Sequence, residues 1–390
     1  MRYFAFLFAV SVFLPDLRAI ELGIDVLRSR DFDGLRGKRV GLITNQTGTD
    51  RNGTKTRFIL KKALGPNLVA LFSPEHGLDG TIGAGKYVAS RRDSATGLPV
   101  FSLYGPTRKP TSSMLKGIEV LVFDMQDIGA RSYTYISTLA KGMEAAGEAG
   151  IELVVLDRPN PLGGLRVEGP PIEDRWLSFV GIFPIPYVHG MTVGELAQMA
   201  NARRWTGHPC KLTVVPMRGW SRGMTWDSTG LRWLRTSPNI PNSTSPCYYV
   251  VTGIVGSLHG VDIGAGGPTP FQYLKSPGMD GEATAARLRA TGYPGVRISG
   301  SGDRVSLQIS PRASANLCQL AVHLLAEANR AARPSLFARY RDGDAIFWKI
   351  YGSTSICSQC EKGVSAEHIA AGWSSSVNRF KSARQPYLLY

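Results

Sequence analysis

Along the first half of the chain, short runs that are apolar throughout alternate with segments whose apolar residues return every three or four positions. Runs at 38–44, 68–72, 118–123 and 152–156 predict buried strands, with 99–103 as a weaker fifth. Segments 54–64 and 132–149 predict helices, and 23–36 a helix followed by a turn; the second helix places Ile136, Leu139, Met143 and Ala146 on one face. Strands that are apolar on both faces and separated by helices belong to a parallel sheet covered on both sides. Right-handed crossovers bring the carboxyl ends of such strands to one rim, where ligands bind in open α/β sheets. The residues delivered there are Asn45 and Gln46, Glu75 and His76, Asp124 and Gln126, and Asp157, Arg158 and Asn160.

The stretch 71–80, LFSPEHGLDG, is the most pointed of these ends. Ser73-Pro74 stops the strand, and an acid and a base follow at once on a glycine-bounded loop. A carboxyl group placed there by a buried strand is held rigidly and partly desolvated, as a proton donor requires. A lone Glu after a strand is ordinarily an exposed loop residue. Four converging clusters rich in Asp, Asn, Gln and Arg instead describe a ligand site.

The second half reads as a further, more mixed α/β region. Thr192 and Glu195 have the spacing of a capping box, with Met191 and Leu196 placed to close a hydrophobic staple. His189 precedes that helix start and either faces the cleft or satisfies loop carbonyls. A strand is predicted at 211–217, helices at 281–291, 314–332 and 365–382, and a hairpin from 296–299 and 304–309. Ile369, Trp373, Val377 and Phe380 read as a core stripe. The segment 219–242, with Trp220, Trp226 and Trp233, offers either sugar-stacking faces or packing between domains. The glycine-rich segment 253–270 reads as a flexible loop over the cleft.

Composition changes the picture little: 43% hydrophobic and 19% charged residues describe a soluble globular chain, and 390 residues suggest two domains. The net charge of +15 is spread thinly, with no basic block or aromatic-basic array, so it describes a solvated surface rather than a nucleic-acid groove. Arg2, the apolar run 3–14 and Ala19 have the layout of a secretory signal peptide over residues 1–19. Export to the periplasm or the exterior follows, with no stable membrane insertion; an uncleaved anchor is the alternative. Cys357 and Cys360 suggest a local disulfide rather than a zinc site, because no second CxxC or His pair accompanies them.

Nucleotide chemistry is disfavoured: no GxGxxG follows the first strand and no GxxxxGK[ST] occurs. GxSxG and HExxH are also absent, and no cofactor or metal is called for. Carboxylates, amides, an Arg and the rings of Tyr133, Tyr135 and Tyr187 remain, a set suited to glycoside hydrolysis.

Several long motifs in order then resemble one family. They are GLRGKRVGLITNQTG (34–48), FSPEHGLDG (72–80), VLVFDMQDIGARSYTYISTL (120–139), DRPNPLGG (157–164), HGMTVGELA (189–197), SPNIPN (237–242) and PYLLY (386–390). The chain resembles the DUF1343 proteins, the YbbC/NamZ family of exo-β-N-acetylmuramidases. The resemblance implies a Rossmann-like parallel-sheet domain, here 20–190, then a smaller α/β domain, 191–390, with the active site in the cleft between them. It implies release of terminal N-acetylmuramic acid from the non-reducing end of peptidoglycan fragments. The family's catalytic glutamate falls on Glu75. Asn45, Gln46, His76, Asp124, Gln126, Arg131, Tyr133, Asp157, Arg158 and Asn160 fall on its hallmark motifs. Asp124 is the expected partner carboxylate, with participation by the substrate's acetamido group as another route. Arg131 or Arg158 either pairs with the lactyl carboxylate of muramic acid or sits in a buried ion pair. One segment departs from the family: His259 stands where relatives carry Glu, and the following Gly264–Thr269 stretch lacks their Arg.

Overall fold

Residues 20–340 and 345–390 are described by the computed structural model. The signal segment expected over 1–19 lies outside them. In chain order the first half comprises α1 (Gly23–Ser29), β1 (Val40–Thr44), α2 (Thr56–Leu64), β2 (Leu68–Ser73), β3 (Arg91–Arg92) and β4 (Pro99–Ser102), then β5 (Val120–Asp124), α3 (Tyr135–Ala149) and β6 (Glu152–Leu156). After a long connection come α4 (Val193–Ala202) and β7 (Lys211–Val215). The strands form one seven-stranded sheet, β3-β4-β2-β1-β5-β6-β7, parallel except for the two-residue edge strand β3. From β1 the chain winds outward through β2 and β4, then returns to place β5 on the other flank of β1. That reversal is the topological switch point of a doubly wound sheet, the usual position for a ligand.

Alternation along each strand feeds two cores. Leu42, Leu71, Val122 and Val154 join Ile24, Leu27, Ile59 and Leu60 of α1 and α2. Ile43, Phe72, Leu121, Phe123 and Val155 join Ile136, Leu139, Met143 and Leu196 of α3 and α4. Both side-chain sets are buried, which is why these strands are apolar at every position.

The sheet does not end at residue 190, where the sequence places the domain boundary. The α4–β7 unit adds one more parallel strand, β7 pairing with β6 from Glu152↔Lys211 to Leu156↔Val215. As an edge strand, β7 leaves alternate residues exposed and lacks the uniform apolar signature of its neighbours. The Thr192–Glu195 capping box forms as expected.

The remaining chain holds α5 (Ser245–Thr252), β8 (Tyr273–Lys275), α6 (Gly281–Thr291), β9 (Val296–Ser301), β10 (Arg304–Ile309) and α7 (Leu317–Ala331). It ends in α8 (Ile346–Tyr351), α9 (Ser355–Glu361), α10 (Ala366–Ala371) and α11 (Ser374–Arg384). A three-stranded antiparallel sheet, β8-β10-β9, contains the expected hairpin. The single helix expected over 365–382 is broken at Gly372-Trp373, where a glycine weakens the helix and the indole turns into the core. None of the five cysteines forms a disulfide, so the local bridge expected between Cys357 and Cys360 is not made. One hydrophobic cluster runs from the α3–α4 face of the large sheet into this half without interruption. Among the described residues no helix is long and apolar enough to cross a membrane.

Candidate active site

The turn after β2 sets the acid. Gly77 N–H closes on the Pro74 carbonyl at 3.0 Å, and His76, Gly77 and Gly80 all take left-handed φ values of 70°, 78° and 70°. For His76 that conformation costs about 1 kcal/mol or more. It is held by Nδ1–H donating to the Ile82 carbonyl at 2.6 Å and by Ile82 N–H donating back to the His76 carbonyl at 3.2 Å. A side chain at Gly80 would have to displace Gln46, since a Cβ there would lie 2.2 Å from the Gln46 amide carbon. The turn thereby folds Glu75 inward, leaving it 8% exposed.

Glu75 is held by donors from three segments. Oε1 accepts the Gly85 N–H at 2.8 Å and Oε2 accepts the Thr134 hydroxyl at 2.6 Å. The Tyr104 hydroxyl bears on the same carboxylate; burial, then the Glu75 charge, pushes the phenol up to about 12. Gly85 belongs to the glycine-rich loop 81–89 (TIGAGKYVA), which roofs the acid and carries the exposed ring of Tyr87.

Beside the acid stands a wall of tyrosines. Tyr133 packs edge-on against Tyr135 (centroids 4.8 Å apart) and Tyr249 (5.9 Å). The hydroxyls of Tyr133 and Tyr135 donate to Thr236, to its Oγ1 at 2.9 Å and its carbonyl at 2.5 Å respectively. Tyr249, held up at about 12 chiefly by burial, lies within electrostatic reach of both Glu75 and Asp127.

Four buried polar atoms around this rim have no hydrogen-bond partner among the described residues: Asn45 Nδ2, Gln46 Oε1, Gln126 Oε1 and Asp127 Oδ1. Their side chains are otherwise fixed. Asn45 Oδ1 accepts from Thr47, Gln46 Nε2 bridges the Arg235 and Thr236 carbonyls, and Gln126 Nε2 bridges those of Asp127 and Pro159. Buried polar atoms are rarely left unpaired, and a group of them marks where a ligand's hydroxyls and amide belong. A cavity of 230 Å³ opens on the same rim, lined by Thr47, Gln126, Arg158, Trp226 and Arg232. Neither this cavity nor the larger one of 860 Å³ elsewhere is lined by Asn45, Glu75, Asp127 or Tyr133.

Other residues expected at the site are committed elsewhere. Asp124, the expected partner carboxylate, binds Arg158 by a two-pronged pair (Nε–Oδ1 2.5 Å, Nη2–Oδ2 3.0 Å) and accepts the Thr56 hydroxyl at 2.5 Å. Both side chains are buried, so Asp124 has no oxygen to offer a substrate and Arg158 is an ion-pair residue. Arg131 donates to the carbonyls of Pro170, Ile185, Ile350 and Tyr351 and is fully buried. It pins the first half to α8 and does not reach for a lactyl group. Asp157, held near 6 by burial, accepts Thr192 and Tyr390 hydroxyls and the Gly194 N–H, anchoring α4 and the C-terminus. Asn160 closes its own turn, donating to the Met191 carbonyl and accepting Leu162 N–H. His189 is buried and neutral, its pKa lowered to about 3 by burial and by Arg384 and Arg131. Its Nδ1 accepts Met191 N–H, the loop role rather than the cleft role.

In their place the structure brings in Thr134, Tyr104, Gly85, Tyr249 and Asp127. Burial pushes Asp127 up to about 7, and Gly129 N–H donates to its Oδ2 at 2.7 Å. Thr134 carried a signal, a Thr directly before a helix; the glycines at 83 and 85 carried another. The indoles of Trp226 and Trp233 donate to the Leu231 and Ile240 carbonyls and pack edge-on at 4.7 Å, so the Trp-rich segment is mainly packing. In the glycine-rich segment, Phe271 packs on Tyr249 at 5.1 Å and Gly266 N–H donates to Asn239 Oδ1, while His259 is exposed. Among the described residues no group of three or more His, Cys, Asp or Glu is placed to hold a metal ion.

Comparison with known proteins places the chain in a family. The family model described as exo-beta-N-acetylmuramidase NamZ, N-terminal, matches residues 40–244, and its C-terminal counterpart matches 247–390. The peptidoglycan beta-N-acetylmuramidase NamZ of Bacillus subtilis is 37% identical over 384 residues, 95% of this chain and 91% of that protein. Two crystal structures of DUF1343 family proteins from Bacteroides fragilis superpose. One has a TM-score of 0.87 at 41% identity, covering 96% of this chain and 100% of that one. The other has 0.74 at 30%, covering 96% and 99%. The chain belongs to the NamZ (DUF1343) family of exo-β-N-acetylmuramidases.

Proposed function

We propose that this protein is an exo-acting glycosidase that removes a terminal N-acetylmuramic acid from the non-reducing end of peptidoglycan fragments, with Glu75 as general acid. The observation that carries the reading is the setting of Glu75. It is a buried carboxyl group at the carboxyl edge of a doubly wound sheet, held by two hydroxyls and one loop amide, beside tyrosine rings and amides that each keep one unpartnered atom. Binding lifts the loop 81–89, and the glycosidic oxygen takes the place of the Gly85 amide at Oε1. Proton transfer to that oxygen then assists departure of the aglycone as the substrate's acetamido oxygen closes on the anomeric carbon; water opens the resulting oxazolinium ring and returns a proton to Glu75. Thr134, on the opposite oxygen, keeps the carboxyl group oriented. Asn45, Gln46 and Gln126 offer one donor and two acceptors to the sugar. With Asp124 committed to Arg158, the nearby carboxyl with an unpartnered oxygen is Asp127. Being largely protonated at mildly acidic pH, it suits orientation of the acetamido group better than nucleophilic attack. Export through residues 1–19 would bring the protein to this substrate.

The test compares wild type with Glu75→Gln on a muramic-acid disaccharide and on an activated aryl β-N-acetylmuramide. Loss of a general acid lowers kcat roughly 10²- to 10⁴-fold when the leaving group is an alcohol. An aryloxide needs less protonation, so its loss is smaller. Undiminished turnover of the disaccharide would remove Glu75 from the mechanism. A second reading, a glycan-binding protein without turnover, rests on the departure of the 258–269 segment from the expected family pattern, with His259 exposed. It requires saccharide binding with no release of sugar by the wild type.

A further inference from the structure

The cations around the mouth of the site are mostly neutralised. Arg57 and Arg91 pair with Asp79, and Lys109 pairs with Glu144 and Glu148. Among the described residues Arg108, like Lys86 and Arg232, has no such pairing. It makes no hydrogen bond or ion pair among the described residues, yet its side chain is not loose. Its guanidinium carbon lies 4.9 Å from the centroid of Tyr104 and 4.4 Å from that of Phe179, two rings that are themselves 6.0 Å apart. Tyr104 is the residue whose hydroxyl bears on Glu75. The guanidinium is therefore positioned by stacking, with its donors open to solvent, one tyrosine ring away from the acid. Stacked arginines hold a planar fork at little entropic cost, the form that recognises carboxylates.

Accepting the hydrolase reading, we propose that Arg108 is the specificity residue that recognises the lactyl carboxylate of N-acetylmuramic acid. The lactyl group hangs from O3, two ring carbons from the anomeric carbon, and its carboxyl carbon lies a further two bonds beyond O3. A cation one aromatic ring from the acid matches that separation. Neither arginine first suggested by the family motifs can serve, because Arg158 is paired and Arg131 is buried among carbonyls.

The experiment titrates wild type, Arg108→Met and Arg108→Lys with free N-acetylmuramic acid and free N-acetylglucosamine, using ligand-observed NMR. Met keeps the unbranched stem over both rings and removes the charge; Lys keeps the charge and loses the fork. Wild type should prefer the muramic sugar. Arg108→Met should lose roughly 10- to 100-fold in affinity for it, with N-acetylglucosamine affinity changing less than about twofold. Arg108→Lys should fall between. Equal wild-type affinity for the two sugars, undetectable binding included, overturns the proposal, as does an equal loss for both sugars in Arg108→Met. Release of 4-nitrophenol from the aryl N-acetylmuramide is followed in parallel. No release with the binding preference intact sinks the hydrolase reading and keeps Arg108. Release with no change of preference in the variant sinks Arg108 alone.

Discussion

The carboxyl edge of the large sheet divides into two halves that look alike in sequence and behave differently. On the β5–β6 side, Asp124, Asp157, Arg158 and Asn160 bond to one another and to nearby backbone, and His189 does so through Nδ1 while its Nε2 is unpartnered among the described residues. On the β1–β2 side, Asn45 and Gln46 keep an unpartnered polar atom each. There Glu75 is held by a loop amide and the hydroxyls of Thr134 and Tyr104 rather than by an opposite charge. Polar residues at strand ends therefore mark two things. A closed network fixes the rim, and an open set beside it is left for a ligand.

The strongest way to break that comparison is to cut each half once. Arg158→Met strands Asp124 as an unpaired buried charge and should cost about 3–5 kcal/mol in stability, measured by chemical denaturation. Glu75→Gln keeps the shape and one acceptor, and should cost about 1 kcal/mol or less in the same assay while removing most of the activity. If the two variants lose equal stability, the division fails.

Asp127 stands between the halves, and pH sharpens its place. Its folded pKa is raised to about 7 from 3.8 by burial, so its contribution to stability is full below the unfolded value and is lost as pH rises from about 4 through 7. Asp157, raised to about 6, acts in the same sense. His189, lowered to about 3, acts oppositely: its contribution is present above about 6.5 and is lost as pH falls. Asp127→Asn should therefore be more stable than wild type at pH 8, by on the order of a few kcal/mol, and equal to it near pH 4. A constant offset across that range would mean Asp127 does not titrate as its burial implies.

What could be read from the sequence follows the range of the forces involved. Continuous apolar runs gave the buried strands β1, β2, β5 and β6 within a residue or two, because both faces of each are covered. The α4 start was legible because a capping box is local chemistry. The edge strand β3, Arg91-Arg92, was not; β7 was legible as a strand at 211–217, but its half-exposed pattern gave no sign that it joins the large sheet. Glu75 was legible from its motif and its strand. Its partners were not, because Thr134 lies 59 residues away and nothing local aims one at the other. Asp124 and Asp127 illustrate the same limit. Three residues apart on one strand exit, one is claimed by an arginine 34 residues downstream and the other retains an unpartnered oxygen.

The smallest test uses two threonines that open helices, one in each half. Thr192 caps α4: its hydroxyl oxygen accepts Glu195 N–H at 3.2 Å, and its hydroxyl donates to Asp157 at 2.7 Å. Thr134 occupies the same position before α3 but caps nothing with its side chain, donating to Glu75 instead. Valine is close in shape to threonine and removes only the hydroxyl. Thr192→Val should lose about 1–2 kcal/mol of stability and leave kcat unchanged. Thr134→Val should keep its stability within about 1 kcal/mol and lose roughly tenfold in kcat, since one hydrogen bond to an ionisable carboxyl group is worth about 1.5–3 kcal/mol and part of its function is retained by Tyr104. The two losses must fall in different assays. A stability loss in Thr134→Val with kcat intact would place that hydroxyl in the scaffold, and the open half of the rim would shrink to the amides alone.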